Sequence, residues 1–234
     1  YITLSVLVSF LSGVSAESGA KSRAESIKGK ITLTGKQAEK AKLEDVYVYY
    51  QPAHDSLKSK VVPLTEPLNI KMKNKAYVPR VSVVPVGSKI KIENADSILH
   101  NAFSPSRPNQ FDLGLYKKNS GKVKLLSQSG VVKLFCNVHY RMVAYVLVLD
   151  TPYYTRVEKD GSFEISNIEL LENKTSNKGE LVVWHERSKR VIKKISLPLT
   201  EKLNINLPIT KRRIPEHKNK SGKSYKKKGR RRRY

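Results

Sequence analysis

The run Cys136-Asn137-Val138-His139-Tyr140-Arg141-Met142 sets a thiol, an imidazole and a thioether inside one short connection between two apolar stretches. Before it, Val131-Val132-Lys133-Leu134-Phe135 has the composition of a half-buried strand; after it, Ala144-Tyr145-Val146-Leu147-Val148-Leu149 is apolar throughout. Short runs rich in β-branched and aromatic residues read as strands. A loop tied at both ends to strands holds its donors on a stiff base. Structural zinc takes Cys, His or carboxylate in a closed tetrahedron, whereas a thioether beside a thiolate selects softer copper. The second imidazole such a centre needs has a candidate in His100, beyond the strand-like run Ser88-Lys89-Ile90-Lys91-Ile92-Glu93-Asn94. Two His, one Cys and a weak axial Met form the donor set of blue-copper electron-transfer centres.

Cys136 has two competing readings. A cysteine nucleophile is expected at a helix N-terminus or in a cationic pocket with an oriented base, whereas Cys136 ends an apolar strand. A buried free Cys can also serve as a small hydrophobe. It is the single cysteine of the chain, which rules out an intramolecular disulfide framework.

Outward from the loop, period-two patterns recur at 46–50 and 88–93, and Gly and Pro punctuate the sequence at Gly87, Pro105, Pro108, Gly114, Gly121, Gly130, Pro152 and Gly161. The one helix-like composition, residues 36–43, is too short and polar to anchor a helical layer. The expectation is an all-β architecture of packed sheets.

After Asp150-Thr151-Pro152 a second set of strand signals begins: 153–157, the Asp160-Gly161 turn, Ser162-Phe163-Glu164-Ile165, Leu181-Val182-Val183-Trp184 and 191–197. Asp-Gly between alternating apolar residues is a strong hairpin signal. Ile27-Lys28-Gly29-Lys30-Ile31-Thr32-Leu33, the Leu43-to-Val48 strand and Asp160-Gly161-Ser162-Phe163 together resemble the transthyretin-like or carboxypeptidase-regulatory-like β-sandwich. That resemblance implies a metal domain inserted between the first and later strands of a second, smaller sandwich; two consecutive domains are the simpler alternative.

Residues 67–151 resemble a cupredoxin of the plastocyanin-like or methylamine-utilisation-protein-like kind. The resemblance rests on Tyr77-Val78-Pro79, Val84-Pro85-Val86-Gly87, Ile92-Glu93-Asn94-Ala95-Asp96, His100-Asn101-Ala102-Phe103-Ser104, Phe111-Asp112-Leu113-Gly114 and the Cys136 loop. It implies a Greek-key β-sandwich holding one mononuclear type 1 copper ion, with His100 and His139 as imidazole ligands, Cys136 as the thiolate and Met142 as the long axial ligand. It further implies that Asn101 ties the two ligand loops together. Apart from the resemblance, the apolar residues Phe103, Phe135, Val138 and Val143 are expected to limit water access. The sequence departs from the family where many members carry Pro after the second histidine: here Tyr140 and Arg141 follow His139. His54, His185 and His217 have no ligand partners near them in sequence and read as structural or solvated residues, too few for further copper clusters.

The function expected is a blue-copper electron carrier, not an enzyme; the alternatives are a copper-binding or delivery protein without a redox role, and a scaffolding or surface-binding protein on the same fold. Residues 1–16 carry no charge and end in Val14-Ser15-Ala16, which reads as a secretory signal, with an uncleaved anchor as the alternative, and the expected location is the periplasm, the exterior or the cell surface. Residues 17–66 then hold a linker and the first strands of the smaller sandwich, 67–151 the cupredoxin domain, 152–208 the remaining strands and 209–234 a disordered polybasic tail. Of the formal charge of +25, a net +12 lies from Lys211 onward, where thirteen Lys or Arg meet one Glu. Such a tail suits an acidic redox partner, an anionic membrane or a cell-surface polymer. Nucleic acid is disfavoured, because a secretory signal and a copper site point away from the cytosol.

Overall fold

The structure is a computed structural model that describes residues 24–55, 61–171, 177–211 and 214–225. The secretory-signal reading of 1–16 lies outside the described residues.

Among the described residues, sixteen strands make four sheets, which face one another in pairs. In the first pair, β13 (Ser162–Glu169), β1 (Ala24–Thr34) and β16 (Leu203–Pro208) form one sheet. The other holds β12 (Tyr154–Arg156), β2 (Tyr47–Pro52), β14 (Lys178–Trp184) and β15 (Val191–Ser196). Ile27, Ile31, Val48, Tyr50, Phe163, Ile165, Leu181, Val183, Ile205 and Leu207 close the space between them. The helix-like stretch becomes two single 3-10 turns, Ala38–Lys40 and Leu43–Asp45.

The intervening strands build the second pair. One sheet runs β5 (Val81–Pro85), β11 (Val143–Leu149), β10 (Gly130–Phe135), β7 (His100–Ser104) and β8 (Phe111–Tyr116). The facing sheet runs β4 (Ala76–Val78), β3 (Leu68–Lys73), β6 (Lys89–Asn94) and β9 (Gly121–Leu125). Ile70, Met72, Ile90, Ile92, Val132, Leu134, Ala144, Val146 and Val148 fill this core, which also contains Cys136 and Met142. The described residues are thus all-β and build two sandwiches, the larger of which carries Cys136 and Met142 in its core.

β11 explains why its sequence is apolar without alternation. Successive strand residues point to opposite faces, so Ala144, Val146 and Val148 enter the core of the larger sandwich. Val143, Tyr145, Leu147 and Leu149 enter a third cluster with Tyr49, Val182 and Trp184 of the smaller one. A sheet covered on both faces favours continuous hydrophobic strands, and all seven β11 residues are buried.

Beyond β16 the chain departs from the expected tail. Residues 214–225 form no helix or strand, yet Ile214 packs on the inter-sandwich cluster and the segment then lies against the Cys136 loop. Composition predicts solvation there because charged residues dominate; the contacts come from the few rings among them. Residues 226–234 lie outside the described residues.

Candidate metal centre

Three strands deliver the donors. His100 opens β7, Cys136 follows the last residue of β10, and His139 lies in the turn that enters β11, closed by Met142 N–H donating to the His139 carbonyl at 3.0 Å. The Cys136 sulfur stands 3.8 Å from Nδ1 of His100 and 3.8 Å from Nδ1 of His139. All three donor atoms lie within 4.8 Å of one another. A nitrogen and a sulfur bound to one ion at about 2.0 and 2.3 Å, roughly 120° apart, stand about 3.7 Å from each other. The two observed sulfur–nitrogen spacings therefore fit donors that share one ion. Cys136 and His100 are fully buried and His139 half-buried, so only one edge of the site approaches solvent.

His100 is oriented from behind. Its Nε2 meets Asp96 Oδ2 at 2.8 Å, which engages that nitrogen's proton and leaves Nδ1 as the lone-pair donor toward the sulfur. A carboxylate behind an imidazole fixes tautomer and orientation in this way. Asp96 is itself held by N–H groups of Asn74 and Lys75, at 2.7 and 2.9 Å, from a turn in which both residues take positive φ. Burial pushes the Asp96 carboxyl up, but the Lys75 and Asn74 N–H groups and the His100 imidazole outweigh it and hold it below the ordinary carboxylate value.

Two side chains join the ligand strands. Asn101 accepts the Asn137 N–H on Oδ1 at 3.2 Å and donates through Nδ2 to Asp112 at 2.7 Å, tying the loop after Cys136 to the strand of His100. Tyr77, fully enclosed, donates its hydroxyl to the Phe135 carbonyl at 2.9 Å and approaches the Asn101 carbonyl at 3.2 Å. Burial, reinforced by nearby Cys136, pushes this hydroxyl well above its ordinary value and keeps it a donor. Replacing Tyr77 with Phe removes the donor that bridges these strands, so the metal-free protein should lose about 1–2 kcal/mol of stability. Urea unfolding beside the parent checks this; an unchanged midpoint would mean the bridge adds nothing.

The smaller sandwich also reaches the loop. Arg80 pairs with the nearly buried Glu186 at 2.7 Å, and its other terminal nitrogen donates to the Val143 carbonyl at 2.9 Å, next to Met142.

The structure brings His100, Cys136 and His139 together. Met142 is buried in the same core cluster as Cys136. The expected apolar screen is corrected in two respects. Val138 is half exposed, because it sits at the tip of the turn. Phe103, Phe135 and Val143 face the smaller sandwich, because strand alternation turns Phe135 away from the side that Cys136 occupies; Tyr77, Ala102, Tyr116 and Met142 share the core cluster of Cys136. His185 is structural: its Nδ1 accepts the Arg187 N–H at 3.1 Å. Sequence reasoning missed Asp96, Tyr77 and above all His217. The His217 ring stacks on Phe135 with centroids 3.9 Å apart and on Tyr140 at 4.6 Å. Burial holds this imidazole below its ordinary value, against the pull of the Pro215 carbonyl.

The sequence matches no protein-family model, and no curated protein matches it. Among solved structures it is similar to a purple cupredoxin from Nitrosopumilus maritimus, at 22% identity over 35% of this chain and 99% of that one, with a TM-score of 0.32. A reduced mutant form of amicyanin gives 16% identity over 43% of this chain and 99% of that one, with a TM-score of 0.34. A copper-containing nitrite reductase from Thermus scotoductus SA-01 gives 14% identity over 51% of this chain and 28% of that one, with a TM-score of 0.34.

Proposed function

We propose that this protein is an exported electron carrier that holds one copper ion through His100, Cys136 and His139, with Met142 as the long axial ligand. The observation that carries the reading is the buried His-Cys-His cluster, with both imidazoles turned Nδ1-first toward one sulfur at equal distance. Bound copper would supply a one-electron couple between Cu(I) and Cu(II). The chain's part is to keep the donors still while the charge changes. Asp96 sets the His100 tautomer, and Asn101 and Tyr77 lock the two ligand strands together. Two fully buried donors also oppose the easy metal exchange that copper delivery requires, and a thioether in the fourth place leaves no open position of the kind turnover needs.

Export follows from the reading of 1–16, and the high positive charge suits an acidic redox partner that is steered electrostatically.

The test is the visible and electron paramagnetic resonance spectrum of the full chain loaded with Cu(II), followed through repeated reduction and reoxidation. An intense thiolate-to-copper band, narrow copper hyperfine splitting and reversible cycling are expected, with the spectrum shifted in Met142→Ala. A pale tetragonal spectrum would instead make the protein a copper handler.

A further inference from the structure

The segment 214–225 makes its contacts on the ligand loop. Its His217 ring lies between Phe135, the residue before the thiolate, and Tyr140, the residue after the second imidazole, with an interplanar angle to Tyr140 of 4°. Tyr225 packs edge-on against both Tyr140, at 5.3 Å, and His217, at 5.2 Å. The Tyr225 hydroxyl donates to the backbone carbonyl of Cys136 itself at 2.9 Å. Lys220 donates its N–H to the Asn137 side chain at 3.1 Å and its ammonium pairs with Asp112 at 2.9 Å. Asp112 in turn receives Asn101, which receives Asn137, so the segment closes a ring of polar contacts around the loop.

A chain without helix or strand can hold such a position because it carries its own turn. Asn219 accepts the N–H groups of Ser221 and Lys223 on its side chain, and Gly222 takes a φ of +73°. That turn brings Lys220 and Tyr225 back to the same loop. Burial pushes the Tyr225 hydroxyl up to about 12, so it stays a donor at neutral pH.

We infer that residues 214–225 are a built-in wall of the metal site, with Tyr225, Lys220 and His217 as positioning residues that fix the ligand loop before any metal arrives. Tyr140 is the receiving surface. It stands where many cupredoxins carry Pro, and a proline there could offer no flat partner to His217 and no edge to Tyr225. The departure from the family pattern and the presence of the wall are then one feature. The identity of the metal rests on the proposed function; the positioning role does not.

The experiment uses the full-length metal-free chain and its His217→Ala, Tyr140→Pro and Tyr225→Phe variants. Two quantities are read: amide hydrogen exchange across 137–142, and the rate at which iodoacetamide alkylates Cys136, which must become exposed to react. Release of the wall should raise both by about tenfold in the first two variants, and by about threefold in Tyr225→Phe, which loses one hydrogen bond but keeps its ring. The acceleration should be confined to the loop, with core strands β6 and β11 exchanging as in the parent. Parent-like exchange and alkylation in His217→Ala and Tyr225→Phe would overturn the inference, as would an acceleration spread evenly over the chain. Should Tyr140→Pro fail to fold, the other two variants decide. Because neither readout involves copper, a chain that binds no copper but loosens as described would refute the carrier reading and leave the wall standing.

Discussion

Cys136→Ser mixed with Cu(II) should show no intense visible absorption and should bind the ion more weakly by over about 100-fold, the upper end of what losing a group behind a ligand costs. The thiolate is the soft donor that distinguishes this site from an ordinary imidazole site. Serine cannot replace it, since its hydroxyl is hard and stays protonated at neutral pH. The fold should persist. Cys136 lies at a strand end inside a core of Tyr77, Leu134, Met142 and Ala144, and serine is close to it in size. Absorption spectra and competitive copper titration of the two proteins decide the matter; an undiminished band in the variant would mean that the colour arises elsewhere and the site is misassigned.

The second large effect concerns the smaller sandwich. Gly29 in β1 pairs across the ladder with Phe163 in β13 and with Leu203 in β16. A Cβ on Gly29 would collide with the Leu203 carbonyl and come within 2.7 Å of the Phe163 ring, which lies over the bare backbone. Phe163→Ala should therefore cost about 3–5 kcal/mol, as the ring leaves a hole beside a residue with no side chain to refill it. Gly29→Ala should cost about 3 kcal/mol, at the top of the range for overpacking, because a ladder carbonyl cannot turn aside as a side chain can. Trp184, the single tryptophan, sits where the two sandwiches meet and reports unfolding of either. Urea midpoints followed by its fluorescence should fall strongly for both variants, and a change below about 1 kcal/mol in either would show that the glycine and the ring do not depend on each other.

This contact also shows what sequence can reveal. The Gly-containing strand and the Asp-Gly-x-Phe hairpin are far apart in the chain, yet β1 and β13 pair directly, because the two motifs are complementary halves of one packing solution. The loop donors were legible for a similar reason: thiolate, imidazole and thioether are rare, and three within seven residues leave few other chemistries. Strand β9 was not legible. Gly121, Lys122, Val123 and Leu125 are all exposed, and the segment is a strand only because β6 offers it an edge. The role of Asp96 was not legible either, since nothing local says that a carboxylate four residues before a histidine reaches its far nitrogen. His217 and Tyr225 were hidden by their neighbours. The signal was present all the same, in two rings within a lysine-rich segment and a third, Tyr140, directly after the second imidazole.

The pairing of β1 with β16 has a consequence for the order of events during synthesis. These strands run parallel, with Gly29 opposite Leu203 and Leu33 opposite Leu207, so β1, which can pair with β13 earlier, gains its second neighbour only after every other described strand has been made. Contacts between such distant segments form slowly, since a long loop must be closed before they give any return. The metal ligands, by contrast, fall between His100 and Met142, on strands that pair with near neighbours in sequence. The larger sandwich can thus condense around its ligands while the smaller one still waits for its last strand, and the segment that walls the site, following directly on that strand, is added after both.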